Sequence, residues 1–195
     1  ISTLEKASHI KDRDERRKKL SFVIVGGGST GVELAAEMSE FLKDTFANYY
    51  PPEIIEDISI TLIQKTSELM PTLNKRIRRK ALEVLQQKRV RVLLNSEVRE
   101  VSESYIRLGG DKVIGAGSVI WVAGIKPREV KFDKEIEKNS DDRILINNFL
   151  QIKDLENVYA LGDLAVLESV SGGSMLPSLA QVAEKQAKRY FPILN

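Results

Sequence analysis

The chain has 195 residues, of which 42% are hydrophobic, and its 30 basic and 28 acidic side chains give a net charge of +2. This balance favours no nucleic-acid partner, and no apolar run approaches the ~18 residues that a membrane-spanning helix needs. The chain has no cysteine, which excludes a redox disulfide, a thiolate nucleophile and a cysteine-ligated metal, so redox chemistry would need a bound cofactor. The only histidine, His9, lies among charged residues and is interpreted as solvated; no metal site is predicted.

Residues 1–19 are a charge-dense lead-in. The stretch from Lys11 to Lys19 reads KDRDERRKK, and charges of both signs at three- and four-residue spacing predict a solvated helix. A basic patch for nucleic acid or a membrane surface is the alternative, which the interspersed acidic residues make weaker.

The segment 22–38, FVIVGGGSTGVELAAEM, predicts a strand, a glycine turn and a helix in that order. Four β-forming residues precede glycines at G-x-G-x-x-G spacing, and apolar residues then recur at three- and four-residue intervals. Gly26 allows a tight turn, Gly28 lets the backbone approach a pyrophosphate, and Gly31 lets the helix lie close to the sheet. Amides at the helix start would point at the phosphates. The segment predicts a dinucleotide site; the alternative is a glycine-rich turn that binds nothing.

The residues after the second predicted strand, 58–63, bear on the choice of nucleotide. A dinucleotide-binding fold usually carries an acidic residue there, which hydrogen-bonds the adenosine ribose. Here Gln64 and Lys65 follow the strand, and a neutral amide beside an ammonium does not repel a 2′-phosphate, so NADPH would be tolerated alongside NADH. In the alternative, Gln64 bonds the ribose of NADH as a carboxylate would, and Lys65 faces water.

The rest of the first domain is predicted from periodicity and from helix breakers. Adjacent prolines at 51 and 52 predict an extended connection. A basic helix is predicted over 74–88. Its buried face would be made of Ile77, Ala81, Leu82 and Leu85, and its solvated face of Arg76, Arg78, Arg79 and Lys80. Further strands are predicted at 89–95, near 97–108, at 111–114 and at 118–122, with a hairpin turn at Gly109-Gly110-Asp111. The sum is an α/β fold, a Rossmann-like parallel sheet with a β-meander covering one face.

The pattern changes after Arg128. Charged, irregular sequence at 131–143 leads to the apolar run Ile144-Leu145-Ile146, and a hydrophobic strand is then predicted in NVYALGD, 157–163. A strand that ends in Gly162-Asp163 would put a carboxylate at its carboxyl end, where cofactors bind in open α/β sheets; the alternative is an aspartate that caps the next segment. A glycine-rich loop at 169–174 and a helix starting near Ser178 follow.

Four segments resemble those of type II NADH dehydrogenases and occur in the same order: GGGSTGVELA (26–35), WVAGIKP (121–127), NVYALGD (157–163) and LPSLAQVAEKQA (176–187). These are flavin-dependent NAD(P)H:quinone oxidoreductases of the two-dinucleotide-binding-domain superfamily. The resemblance implies a lead-in (1–19), an NAD(P)H-binding domain (20–128) and the incomplete, C-terminal part of an FAD-binding domain (129–195). The family's first FAD glycine motif and its terminal membrane helices are missing, so we expect a fragment that binds NAD(P)H better than FAD and is inactive alone.

The resemblance also implies roles for individual residues. The NAD(P)H-binding residues of the glycine turn and of the last strand's end would be Gly26, Gly27, Gly28, Ser29, Thr30, Gly31, Ala123 and Gly124, to which the strand-end argument above adds Gln64 and Lys65. Glu33 matches an acid near the nicotinamide and flavin rings, where it would orient the reduced ring or relay a proton; the alternative is an acid that only interacts with the helix dipole. Gly162 and Asp163 would bind FAD, and the helix-start amides near Ala180 and Gln181 would face the flavin pyrimidine.

Gln181 and Gln186 fall in the family's quinone-side motif A-Q-x-A-x-Q. Lys185 stands where a second glutamine is usual, and Ala187 where glycine is usual. The implied reaction is hydride transfer from NADH or NADPH to FAD, then reduction of a respiratory-chain quinone. The implied full-length protein is cytoplasmic and peripheral at the inner face of the membrane, and a homodimer is left open.

Two other functions stay open. One is a soluble flavoprotein reductase with a protein or small-molecule acceptor, and the other is a non-catalytic module that senses NAD(P)H. A second glycine motif upstream of Ile1 would favour an enzyme, and a basic amphipathic helix downstream of Asn195 would favour a membrane quinone.

Overall fold

The computed structural model describes residues 2–167 and 180–190. The chain divides into two compact units, Ile1–Gly124 and Ile125–Asn195. The first unit has the helices α1 (Ser2–Ser8), α2 (Arg13–Lys19), α3 (Ser29–Glu40), α4 (Pro52–Glu56) and α5 (Lys75–Gln87). Its strands are β1 (Ser21–Val25), β2 (Ser59–Ile63), β3 (Arg91–Leu93), β4 (Val98–Val101), β5 (Tyr105–Leu108), β6 (Val113–Gly115) and β7 (Ser118–Trp121).

A four-stranded sheet with the order β3-β2-β1-β7 forms the centre of the first unit, and all its neighbouring strands run parallel. β4, β5 and β6 form a separate antiparallel sheet between β3 and β7 in the chain. The predicted α/β fold, a parallel sheet with a β-meander, is therefore confirmed.

β1 is buried on both faces, which explains its unbroken apolar sequence. Because successive side chains of a strand point to opposite faces, Phe22 and Ile24 pack in the core that includes α3 and α5. Val23 and Val25 pack against the meander instead, in a second core with Ile106. Strands of a parallel sheet covered on both sides read as continuous hydrophobic runs.

A buried carboxylate fixes the lead-in to the rest of the first unit. The side chain of Asp57 is fully buried and accepts hydrogen bonds, at N–O distances of 3.1, 2.7 and 2.9 Å, from three arginines of α2: Arg13, Arg16 and Arg17. Burial alone would raise the pKa of Asp57, but these hydrogen bonds hold it below its ordinary value. α2 has no buried residue, as expected of a solvated helix, but the sequence did not indicate that Arg16, with its side chain 12% exposed, would lie against Asp57.

The meander has three strands where the sequence predicted two. The predicted strand near 97–108 is broken into β4 and β5 by a turn in which Ser102 N–H donates to the Tyr105 carbonyl at 2.8 Å. The polar Ser-Glu-Ser run of this turn was too short to be recognised within a β-rich stretch. The hairpin predicted at 109–111 is confirmed, because Gly110 there has φ +73° and Leu108 N–H donates to the Lys112 carbonyl at 2.8 Å.

The connection around the prolines is helical rather than extended. Pro52 is the first residue of α4, where its fixed φ suits a helix and its missing N–H is not needed. The prediction of an extended segment holds only for Pro51, with φ −55° and ψ 145°.

The basic helix is confirmed as α5, and Asn74 caps it by accepting a hydrogen bond from Ile77 N–H at 3.0 Å. Leu85 is buried as predicted, but Ile77 is 44% exposed. Arg78 is half-buried and pairs with Glu68, so it does not belong to the solvated face.

The second unit contains the parallel strands β8 (Ile144–Ile146) and β9 (Ala165–Leu167), a short 3-10 helix (Gly162–Leu164) and α6 (Ala180–Tyr190). The prediction of a strand at 157–163 that ends in Gly162-Asp163 is wrong. Within 157–161 only Tyr159 forms an isolated bridge, with Gln151, and β9 begins after Asp163. The predicted loop at 169–174 and the helix start near Ser178 lie outside the described residues.

Candidate nucleotide-binding site

A cleft of about 530 Å³ opens at the carboxyl edge of the parallel sheet in the first unit. Its walls come from the ends of β1, β2 and β7 and from the segment after β3. Six of the predicted nucleotide-binding residues line it: Gly26, Gly28, Gln64, Lys65, Ala123 and Gly124. A larger cleft of about 860 Å³ lies at the opposite, amino edge of the sheet and contains none of them. Since ligands of open α/β sheets bind at the carboxyl edge, the smaller cleft is the candidate site.

Two glycines of the turn fix the geometry of the cleft floor. Gly26 has φ +118°, and a Cβ on it would lie 2.6 Å from the carbonyl group of Val122. Its N–H donates to the Ile63 carbonyl at 2.8 Å, which joins the end of β1 to the end of β2. A Cβ on Gly31 would lie 1.8 Å from the Gly26 carbonyl oxygen. No other residue type fits at these two positions without backbone movement.

Gly28 presents bare backbone to open space. A Cβ at this position would meet no atom within 4 Å, and Gly28 is the N-cap of α3 without any side-chain capping bond. The first amides of an α-helix have no partner within the helix, and they carry the positive end of its dipole. Ser29 and Thr30, the first two residues of α3, are exposed. This end of the helix can bind a phosphate group.

Gln64 holds the glycine turn in place. Its Oε1 accepts a hydrogen bond from Gly27 N–H at 2.8 Å, and its Nε2 donates to Thr66 Oγ1 at 2.7 Å. The Gly27 carbonyl in turn accepts from Met70 N–H at 2.8 Å. Both backbone groups of Gly27 are therefore engaged within the protein.

Lys65 forms an ion pair with Glu97 rather than contacting only water. Its Nζ lies 2.7 Å from Oε1 of Glu97, whose Oε2 lies 2.6 Å from Nη2 of Arg99. The hydrogen bond from Lys65 lowers the pKa of Glu97 below its ordinary value; partial burial opposes this shift and Arg99 adds to it. A carboxylate held between two cations thus lies at the β2–β3 end of the cleft.

The opposite end of the cleft is formed where β7 ends. Ala123 and Gly124 line it, and Gly124 has φ +125°. Trp121 also lines it and is 55% exposed, an unusual exposure for a large aromatic side chain.

Glu33, the predicted catalytic residue, lies on α3 and is exposed. It does not line the cleft of the first unit. Its role near the reacting rings stays a prediction.

In the second unit the structure brings Gly162 and Gln186 together. Gly162 has φ +68°, and its N–H donates to Oε1 of Gln186 on α6 at 2.8 Å. Asp163, the next residue, is exposed. Ala180 and Gln181, the first described residues of α6, are exposed as well. The roles predicted for these residues stay predictions.

Sequence reasoning missed Glu97 and Trp121. Glu97 follows β3, and the end of β3 lies beside the end of β2. A correct prediction of this strand order would therefore have placed Glu97 at the cleft. Trp121 precedes the Ala123-Gly124 pair on β7, and its place in the WVAGIKP segment was noted without a role.

Across 2–167 and 180–190, no helix is both long and apolar enough to cross a bilayer. The same residues contain no group of three or more histidine, cysteine, aspartate or glutamate side chains placed to hold a metal ion.

Comparison with known proteins identifies relatives of similar sequence. The chain is 32% identical over 174 residues to the "Probable NADH dehydrogenase" of Dictyostelium discoideum, which covers 89% of this chain and 38% of that protein. It is 31% identical over 183 residues to the "Internal alternative NAD(P)H-ubiquinone oxidoreductase A1, mitochondrial" of Arabidopsis thaliana, covering 93% of this chain and 35% of that protein. The chain thus spans little more than a third of the length of these relatives.

The fold matches solved structures as well. NDH2 from Plasmodium falciparum, solved in complex with NADH, superposes with a TM-score of 0.75 at 29% identity, over 85% of this chain and 36% of that one. The resemblance to type II NADH dehydrogenases is confirmed by these relatives. A model of the pyridine nucleotide-disulphide oxidoreductase family matches residues 1–187, and the chain therefore belongs to that family.

Proposed function

We propose that this chain is the NAD(P)H-binding part, with some of the FAD-binding part, of a flavin-dependent NAD(P)H:quinone oxidoreductase. The observation that supports this best is the uncapped start of α3, which opens beside Gly28 into the cleft at the carboxyl edge of the sheet. Relatives named NADH dehydrogenase and NAD(P)H-ubiquinone oxidoreductase support the reaction.

The glycine turn fits a pyrophosphate. The space that a Cβ of Gly28 would fill is open, and the amides of Ser29, Thr30 and Gly31 follow at the positive end of α3. A diphosphate in this space would accept hydrogen bonds from those amides and be favoured by the dipole. Gly26 and Gly27 hold the turn through bonds to Ile63 and Gln64.

The length of the cleft fits two nucleosides. From β3 to β7 the sheet has three interstrand spacings, or about 14 Å, which suits an extended dinucleotide better than a mononucleotide. Gln64 and Lys65 would meet the adenosine ribose at one end. Ala123 and Gly124 would flank the nicotinamide at the other, where the bound coenzyme supplies a hydride. Glu33 would orient the reduced ring or hold a proton near it.

In the second unit, the segment around Gly162 has features that fit a flavin nucleotide. Gln186 holds the Gly162 amide and leaves Asp163 exposed, so the carboxylate is free to accept hydrogen bonds from ribityl hydroxyls. Ala180 and Gln181 are exposed at the start of α6, and their amides would stabilise negative charge on a flavin.

The proposed acceptor is a quinone, in keeping with the names of the relatives, with Gln181 and Gln186 on the quinone side. We propose further that the complete protein works at a membrane surface as a peripheral protein. Lys185 and Ala187 depart from the quinone-side motif, and a different acceptor is the alternative outcome of the test below.

The test has two parts. Because Trp121 is the only tryptophan and lines the cleft, titration of the 195-residue chain with NADH should quench its fluorescence and saturate. The longest natural polypeptide that contains this sequence, loaded with FAD, should oxidise NADH with a ubiquinone analogue. Absence of NADH binding would refute the proposal. Binding without oxidation would favour a sensing module, and oxidation only with soluble acceptors would favour a soluble reductase.

A further inference from the structure

The strand order brings a second charged residue to the ribose end of the cleft. β2 pairs with β3, Gln64 N–H donates to the Leu93 carbonyl at 2.8 Å, and Ser96 N–H donates to the Gln64 carbonyl at 3.0 Å. These bonds fix the segment after β3 beside the end of β2. Glu97, the next residue, therefore lies against Lys65, with 2.7 Å between Oε1 and Nζ.

Gln64 alone does not explain how this end of the cleft would treat a 2′-phosphate. Its side chain is committed to Gly27 and Thr66. Of the described residues that line the cleft, Lys65 and Glu97 are the charged ones. The electrostatic preference of the ribose end is therefore set by this pair, together with Arg99, which contacts Glu97 from outside the cleft.

We propose that Glu97 makes the cleft selective for NADH over NADPH, in the role that an acidic residue at the end of β2 usually has. Its carboxylate accepts hydrogen bonds from ribose hydroxyls, repels a 2′-phosphate, and keeps the ammonium of Lys65 and the guanidinium of Arg99 paired. This inference rests on the proposed binding of NAD(P)H.

The test measures dissociation constants of NADH and NADPH for the 195-residue chain and for Glu97→Gln. The amide keeps the shape of the side chain and removes one negative charge; for the calculation we take a 2′-phosphate of charge about −2 at about 5 Å from it. At physiological ionic strength that change is worth about fivefold in affinity. NADPH should therefore bind about fivefold more tightly to the variant, and the gain should shrink at 1 M salt, while NADH affinity stays the same or falls.

Glu100→Gln is the matched control. Glu100 lies on β4, is also paired with an arginine, Arg107, at 3.0 Å, and lies outside the cleft. Its replacement changes the net charge equally and should leave the ratio of the two dissociation constants unchanged. Lys65→Gln provides the opposite perturbation, because it leaves Glu97 in place and removes a cation, so NADPH binding should weaken relative to NADH.

The possible results separate the two proposals. An unchanged NADH-to-NADPH ratio in Glu97→Gln and Lys65→Gln, with NADH still bound, would overturn the role of Glu97 alone. An equal shift in Glu100→Gln would also overturn it, because the effect would then be one of overall charge. A wild-type chain that binds neither nucleotide would instead refute the proposed function, and with it this inference.

Discussion

Asp57→Asn should destabilise the first unit by about 2–3 kcal/mol. The asparagine has the same shape, but it removes the charge from a fully buried side chain that three arginines contact. Arg16, whose side chain is 12% exposed, would keep a nearly buried cation without its counterion. Removing one partner of a buried ion pair costs about 3–5 kcal/mol. A smaller loss, about 2–3 kcal/mol, is expected here because Arg13 and Arg17 are more than half exposed and would be rehydrated.

The same carboxylate makes stability depend on pH. Burial would raise the pKa of Asp57, but the arginine hydrogen bonds outweigh it and the pKa in the folded state is lowered. A group of this kind contributes stability that is present above its unfolded pKa, about 3.9, and is lost as the pH falls through the folded value. The wild type should therefore lose this contribution below about pH 4, and the variant should have no such contribution to lose.

Urea denaturation followed by circular dichroism measures both effects. Arg16→Gln should cost more than Arg13→Gln, because the side chain of Arg13 is 56% exposed and Arg16 is nearly buried. Asp44→Asn, at an exposed aspartate, is the control and should change stability little. A loss under about 0.5 kcal/mol for Asp57→Asn, or the same acid-induced loss in the variant and the wild type, would refute the reasoning.

Two further variants test the glycine turn. Gly31→Ala should cost about 3 kcal/mol in stability, since its Cβ would lie 1.8 Å from the Gly26 carbonyl oxygen; a variant as stable as the wild type in the same denaturation assay would contradict this. Gln64→Ala should cost about 1–2 kcal/mol and weaken NADH binding, because Gly27 N–H loses its acceptor. Thr66→Val, which keeps the Gly27–Gln64 bond, should bind NADH like the wild type, and equal affinities in Gln64→Ala and Thr66→Val would argue against a role of Gln64 in holding the turn.

The parts of the fold that the sequence predicted are those determined by local pattern. The apolar run of β1 indicated a strand, and the structure shows that its two faces pack in two separate cores, one with the helices and one with the meander. The requirement for glycine at Gly26 and Gly31 follows from the spacing, and the structure supplies the clashing atoms: the Val122 carbonyl and the Gly26 carbonyl.

What the sequence did not predict depends on contacts between distant residues. The arginines of α2 are 40 to 44 residues from Asp57, so their local pattern looked like that of any solvated helix. Glu97 became part of the cleft only through the pairing of β2 with β3. The position of Asp163 relative to its strand was predicted wrongly, because a short apolar run before a Gly-Asp pair does not determine whether the strand precedes or follows the pair. Here the strand, β9, follows the pair.

The proposed site is tested most directly by the NADH affinity of Gly28→Ala. Gly28 has φ −72° and no atom within 4 Å of a Cβ position, so alanine leaves the fold intact and places its methyl group where the pyrophosphate would lie. Gly109→Ala is the matched control, because a Cβ there also meets nothing within 4 Å. Steric overlap of the methyl group with the pyrophosphate should cost about 1–3 kcal/mol, so NADH should bind about 5- to 150-fold more weakly to Gly28→Ala and with unchanged affinity to Gly109→Ala. Equal affinity of Gly28→Ala and the wild type for NADH would contradict the assignment of this turn as the pyrophosphate site.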